Sequence, residues 1–387
     1  MIKCLKERFK SNYQADPVVI AAAPGRVEVI GNHTDYNQGP VIGAAIDRGV
    51  LVALRRVDES VFRFSSAGSS VFEISDSSQR QRGEASWLNY PLGVYNALIQ
   101  RGLKPSGGFE MSVESDVPSG AGLSSSAALE LATGKAFSEA YGLAIGSDEL
   151  AAVGREAENE FVGVPCGILD QGVSACGKAG HLVHIDCREL KFSTIPLGDD
   201  FSIWIFNTHK KHSLVESMYS QRHDECRQAV EQLKSTGLDI EYLADVTTEE
   251  FESNKEILDT VISKRAEHVI YEIDRVKRVQ ALLAEGKLIG VGKLLSESHA
   301  SSRDLFENSV EELDYLVRIL ESMPDVVGAR LTGGGFGGAA MALAGEAFTE
   351  TYAESVASAY RGYFGESPQV IRCRIADGAR VLEAASL

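Results

Sequence analysis

The chain has no apolar run of about 18 residues, the length a membrane-spanning helix needs. Its opening stretch, MIKCLKERFKSNY, is charged throughout and holds no signal-peptide core. The six cysteines, at 4, 166, 176, 187, 226 and 373, include no CxxC pair. A disulfide or zinc framework is therefore not expected; reduced thiols in a cytoplasmic protein are. Low-complexity stretches and internal repeats are absent as well. Cations are scarce beside anions: Lys+Arg is 38 and Asp+Glu is 55, for a formal charge of -17. That imbalance argues against a general binder of nucleic acid or anionic membrane. Anionic ligands could still be held by local dipoles and a few placed cations. What is present is ordinary globular material: 387 residues, 44% hydrophobic and 24% charged. That length suits two or three domains, or one large two-lobed unit.

Residues 18–23 and 27–30 read as two strands separated by Pro24-Gly25. Residues 49–55 and 109–113 add two more. With few helices between them, a mixed or antiparallel sheet is expected rather than a doubly wound parallel one. Helical spacing follows over 124–141, with Gly142 as a stop, and again from an N-cap at Ser147. Residues 181–185 and 202–206 return to strand. Beyond them 219–233, 266–283 and 310–320 show amphipathic helical spacing. Strands at 326–331 and 339–343 bracket a glycine-rich loop, 348–360 reads as helix, and 369–375 as the closing strand. A division into lobes of residues 1–190 and 191–387 is expected.

Four segments carry chemistry. In residues 116–128 a strand end, a small-residue loop and a helix start follow one another. Gly120, Ala121, Gly122 and Leu123 allow close backbone approach, and Ser124, Ser125 and Ser126 open the helix. A helix N-terminus favours phosphate, and a serine hydroxyl can ligate Mg²⁺. The loop lacks the Lys of a Walker A sequence, and a capped helix after a flexible turn would look the same. Residues 332–339 hold five glycines in six positions, which suits a backbone wall against a ligand or a bulged hairpin. Residues 23–37 gather Arg26, Asn32, His33, Asp35, Tyr36 and Asn37, which fits a fork of bonds to vicinal hydroxyls or an Asx-rich turn. In residues 163–171, Asp170 follows an apolar Gly-containing turn, as a buried base or a helix cap would. Glu158 lies on the helix before it. Cys166 is close by, a candidate for thiol reagents with no catalytic role.

Together, and in this order, these segments resemble the GHMP small-molecule kinases, and among them the galactokinase branch. Further similarity lies in residues 87–90, in His212-Ser213-Leu214 with Tyr219, and in Glu297-Ser298-His299 followed by Arg303-Asp304. The resemblance implies a two-lobed α/β (α+β) fold, with a mixed-sheet N-terminal lobe, a helix-rich C-terminal lobe and the active site between them. It implies ATP- and Mg²⁺-dependent phosphorylation of a hexose at the anomeric hydroxyl. By similarity Gly120 to Ser126 hold the ATP phosphates, Ser126 and Glu158 hold Mg²⁺, and Trp87 lies near the adenine. Asp170 takes the place of the catalytic base, with Arg26 facing it. Asn32, His33, Asp35, Gly167 and Tyr219 occupy the sugar positions. The partners implied are a small-molecule sugar and ATP, with no nucleic acid and no membrane, for a chain acting as a monomer. Departures from the family pattern are Asn32 where Glu is usual, Glu28 where Asn is usual, Asn159 for His and Ala339 for Cys. Since that Glu is expected to bond the sugar's 6-hydroxyl, Asn32 is expected to loosen selection at C6. Galacturonate or a 6-deoxy sugar would then be admitted.

Overall fold

The computed structural model describes residues 1–103, 105, 107–118, 120–198, 200–211 and 215–385. The similarity at His212-Ser213-Leu214 and the loop residue Ser119 lie outside the described residues. Strands β1 to β7 are Val19–Ile30, Val41–Val57, Phe62–Ser66, Phe72–Ile74, Gly108–Ser115, His181–Asp186 and Lys191–Pro196. Strands β8 to β11 are Ser202–Lys211, Val326–Thr332, Gly337–Ala344 and Gln369–Cys373, and β12 is Arg380–Ala384. An eight-stranded sheet runs β12-β1-β2-β5-β3-β4, with β6 on the first part of β2 and β7 beyond it. The β3–β5 pair is parallel and the other pairs are antiparallel, so the sheet is mixed, as expected. The second sheet, β11-β8-β10-β9, is antiparallel throughout.

β1 is one strand where the sequence reads as two. Pro24 and Gly25 are turn signals, yet here they form a bulge inside the ladder with β2. Pro24 has no N–H to give, so the carbonyl of its neighbour Gly49 accepts instead from the Asp116 N–H at 3.2 Å, while the Gly49 N–H donates to Asp116 Oδ1 at 2.7 Å. The bulge frees the Arg26 N–H to donate to the Leu123 carbonyl at 3.1 Å. A Cβ at Gly25 would stand 2.6 Å from that carbonyl, so only glycine lets strand and glycine loop meet. β12 lies beyond the strand read as the last. It pairs Val19 with Ala384 and Ala22 with Arg380. The helix expected from an N-cap at Ser147 is capped one residue earlier, by Gly146.

The second sheet is buried on both faces. In β8, Ile203 and Ile205 enter the main core, while Trp204 and Phe206 face helices Glu311–Leu320 and Glu350–Phe364. Helix Leu288–Ser301 crosses the main-core face so closely that a Cβ on Gly292 would sit 1.8 Å from the Val327 carbonyl oxygen. A third core joins helix Val215–Lys234 to helix Thr260–Ala284. Among the described residues no helix is long and apolar enough to cross a membrane.

Candidate active site

A cleft of about 470 Å³ opens where the end of β1, the glycine turn between β9 and β10, and the segment 163–170 converge. Arg26, Asn32, His33, Asp35, Glu158, Gly167, Asp170 and Tyr219, all singled out in the sequence, line it together. So does Glu28, which the sequence marked only as a departure from the family pattern.

At the centre stand Arg26 and Asp170. Asp170 is in the first turn of helix Leu169–Cys176, and Arg26 lies past the β1 bulge. Arg26 Nε and Nη2 both donate to Asp170 Oδ1, at 2.7 and 2.5 Å, while Nη1 donates to the Gly122 carbonyl at 2.6 Å. Ser124 Oγ donates to the other oxygen, Asp170 Oδ2. The carboxylate is thus held on both sides, and its guanidinium partner is fixed to the glycine loop.

Ser124 is the cap residue of helix Ser125–Tyr141 and adopts left-handed φ, 54°. Such a backbone costs on the order of 1–3 kcal/mol in a non-glycine residue. A capping serine ordinarily turns its hydroxyl onto its own helix. Here that hydroxyl goes to Asp170, so the first amides of the helix keep no side-chain cap. Gly120 and Gly122 are also left-handed, and nothing stands within 4 Å of a Cβ built on Gly122. Across that space Gly333 faces the Gly122 carbonyl. Trp87 is outside the cleft lining, on the turn Gly83–Leu88, with its ring edge-on to Phe64 at 6.3 Å.

The turn at residues 31–37 is fastened to helix Thr260–Ala284. Glu272 Oε1 accepts from the Gly31 and Asn32 amides at 3.0 and 3.2 Å, and His268 Nε2 donates to the Asn32 carbonyl at 3.1 Å. Burial alone would raise Glu272, but Arg275, Arg330 and His268 outweigh it and hold the carboxyl at about 2. His33 Nε2 donates to the Gly334 carbonyl at 3.1 Å, so Nδ1 accepts from Tyr36 Oη at 3.0 Å. Burial pushes this imidazole down to about 3, which keeps it neutral. With both ring nitrogens occupied, His33 presents a shaped wall against Tyr219, whose ring centroid lies 5.2 Å away.

Asp35 is raised to about 6, by burial first and by nearby Asp170 second. A carboxyl raised in the folded state favours the protonated fold, so the free protein should lose stability as pH climbs from about 4 to about 6. Asp35→Asn is expected to flatten the melting temperature across that window; an unchanged slope would show that another group titrates there. Gly167 makes room for this carboxylate, since a Cβ there would fall 1.8 Å from Asp35 Oδ2. Gly167→Ala should therefore displace Asp35; if the cleft takes the sugar that the sequence resemblance implies, its KM should rise by at least about tenfold, and an unchanged KM in steady-state kinetics would show that Asp35 does not touch it.

Glu158 sits where helix Ser147–Glu156 widens into a π-turn, Ala157–Val162, a local distortion frequent at functional sites. Behind it Gln171 Nε2 donates to Glu158 Oε2 at 2.6 Å and to the fully buried Glu130 at 3.0 Å. Burial, then Asp170, raise Glu158 to about 7, while Ser126 and Gln171 bond to it. Gln171 closes the fourth segment but was given no role, and Glu130 escaped sequence reasoning because nothing in its spacing marks it. Cys166 was a candidate for thiol reagents; burial and the surrounding carboxylates push its thiol far up, so the reactive thiolate is suppressed.

The chain matches the GHMP kinases N terminal domain over residues 89–178, the galactokinase galactose-binding signature over 7–56 and the GHMP kinases C terminal family over 279–366. It is 39% identical to a galactokinase of Roseiflexus sp. (strain RS-1), across 98% of this chain and 97% of that one. The chain belongs to the galactokinase family of GHMP kinases. A second galactokinase, from Chloroflexus aurantiacus, is 36% identical over 99% of this chain and 98% of its own. Lactococcus lactis galactokinase complexed with galactose superposes with a TM-score of 0.93 at 34% identity, covering 98% of this chain and 99% of that one. Methanococcus jannaschii mevalonate kinase, at 20% identity and TM-score 0.64, shares the fold.

GHMP kinases use ATP and Mg²⁺, and the residues present fit both. Glu158 and Ser126 are a hard-oxygen pair suited to Mg²⁺, and a cation there would relieve the repulsion between Glu158 and Asp170. Among the described residues no three His, Cys, Asp or Glu side chains form a metal cage. A galactokinase-family Mg²⁺ would thus draw its remaining ligands from phosphate and water.

Proposed function

We infer that the protein transfers the γ-phosphoryl group of ATP to the anomeric hydroxyl of galactose, giving galactose 1-phosphate. The observation that carries this reading is the Arg26–Asp170–Ser124 constellation, which joins the floor of a sugar-sized cleft to the open N-terminus of a helix. The full-length likeness to galactokinases supports the choice of sugar.

In this reading Gly120, Ala121, Gly122, Leu123, Ser124, Ser125 and Ser126 cradle the ATP phosphates, with the uncapped helix amides as donors. Ser126 and Glu158 hold Mg²⁺, which when bound neutralises charge on the β- and γ-phosphates. Gln171, anchored on Glu130, keeps Glu158 turned to the cleft. Asp170 accepts the proton of the sugar 1-hydroxyl, and Arg26 stabilises charge on the moving phosphoryl group. Asp35, Gly167 and Tyr219 bound the sugar, and His33 and Asn32 shape the pocket behind them. Trp87 stands on the adenine side.

The test is ATP consumption with Mg²⁺ against galactose, galacturonate, N-acetylgalactosamine, arabinose and glucose. Galactose is expected to be turned over best. A better substrate elsewhere in that panel would overturn the choice of sugar and keep the chemistry.

A further inference from the structure

Position 32 is expected to have lost a carboxylate. The geometry shows one immediately beside it. Asn32 Nδ2 donates to Glu28 Oε1 at 3.0 Å and to the Gly333 carbonyl at 2.8 Å. Its Oδ1 accepts from Asn308 Nδ2 at 2.8 Å and from Ser302 Oγ at 3.2 Å. Two donor hydrogens and two acceptor sites are the whole capacity of a side-chain amide. Asn32 is therefore saturated by protein and has nothing left for a ligand.

Glu28 is different. It too lines the cleft and is buried. Its Oε1 is bound by Arg330 Nη1 at 2.7 Å and by Asn32, whereas Oε2 has only the longer 3.4 Å approach of the Asn32 amide. A carboxylate oxygen accepts about two hydrogen bonds, so Oε2 retains capacity. The buried Arg330, in turn, needs an anion at this spot.

We propose that Glu28, and not Asn32, is the specificity-determining acceptor for a non-anomeric hydroxyl of the sugar, the carboxylate and amide having changed places within one hydrogen-bonded pair. This rests on the galactokinase reading above. It reverses the expectation of relaxed selection, because a carboxyl acceptor bonded to Arg330 stays in the pocket wall, although burial raises it above the usual carboxylate range.

The experiment compares wild type, Glu28→Asn, Asn32→Glu and the double exchange, by galactose kinetics and by calorimetric galactose binding, with thermal unfolding as a folding control. Glu28→Asn should raise KM and Kd for galactose by about tenfold to a hundredfold. Asn32→Glu alone should do the same, by placing two carboxylates together. The double exchange should recover most of the loss, and it keeps a counter-charge for Arg330 should the single variants fold poorly. Against 2-, 3-, 4- and 6-deoxygalactose, the loss caused by Glu28→Asn should vanish for the one sugar that lacks the bonded hydroxyl. An unchanged KM in Glu28→Asn overturns the proposal, as does a double variant no better than the singles, or a loss equal for every deoxy sugar. If wild type phosphorylates no galactose but binds it, the kinase reading fails while the binding comparison still decides this contact. If it does not bind galactose, both fall.

Discussion

Asp170→Asn should lower kcat for galactose by about a hundredfold to ten-thousandfold, the usual contribution of a positioned general base. The substitution keeps the shape of the side chain and an oxygen for Arg26 to bond, so the cleft should survive. It removes the negative charge and the capacity to take a proton from the sugar. KM should change far less than kcat, because the lost interaction is made in the transition state. A coupled assay under saturating ATP and Mg²⁺ measures both. Retention of a tenth of wild-type kcat or more would show that Asp170 only orients the hydroxyl.

Gly292→Ala should be among the most destabilising single changes in the molecule. The methyl would stand 1.8 Å from the Val327 carbonyl oxygen and 2.9 Å from its carbon, both backbone atoms that no rotamer change can move. Opposite it, a Cβ on Gly328 would be 2.9 Å from Gly292 Cα, so the two glycines form one close crossing of helix over strand. Overpacking usually costs 1–3 kcal/mol, and a collision between main chains should reach about 3 kcal/mol or more. A lower denaturant midpoint with an unchanged slope is the expected observation. The displacement would also reach the site. Ser298 on the same helix donates to Glu272 at 2.6 Å, and Ser301 bonds His268 at 2.9 Å. Those two residues hold the turn at residues 31–37 that lines the cleft, so a weaker fold and a raised KM should appear together.

Much of the site was legible in the sequence because its elements depend on unusual composition. Five glycines around Phe336 and two more shortly before three serines are costly unless backbone must come close to something. Ser124 was read as a phosphate donor, and its hydroxyl was found on Asp170, a contact across 46 positions that no local pattern encodes. Glu28 and Asn32 misled reasoning that weighed each position separately, since their meaning lies in the bond between them. Pro24-Gly25 carried every local mark of a turn, and the sheet overrode it with a bulge. Short strands such as Phe72–Ile74 and Arg380–Ala384 have too few buried positions to show a period, because pairing with neighbours, not local preference, makes them strands.

The pairing of Arg380–Ala384 with the first part of β1 carries a cost in time. A ribosome emits Val19 early and Ala384 only after all the residues between them, at about 5–20 residues per second. Through that interval the outer rim of the first sheet waits without its neighbour, offering free amides and carbonyls to any other nascent chain. A message truncated before codon 380 would leave that rim permanently open. Such a product would keep every residue of the cleft and still be prone to aggregate.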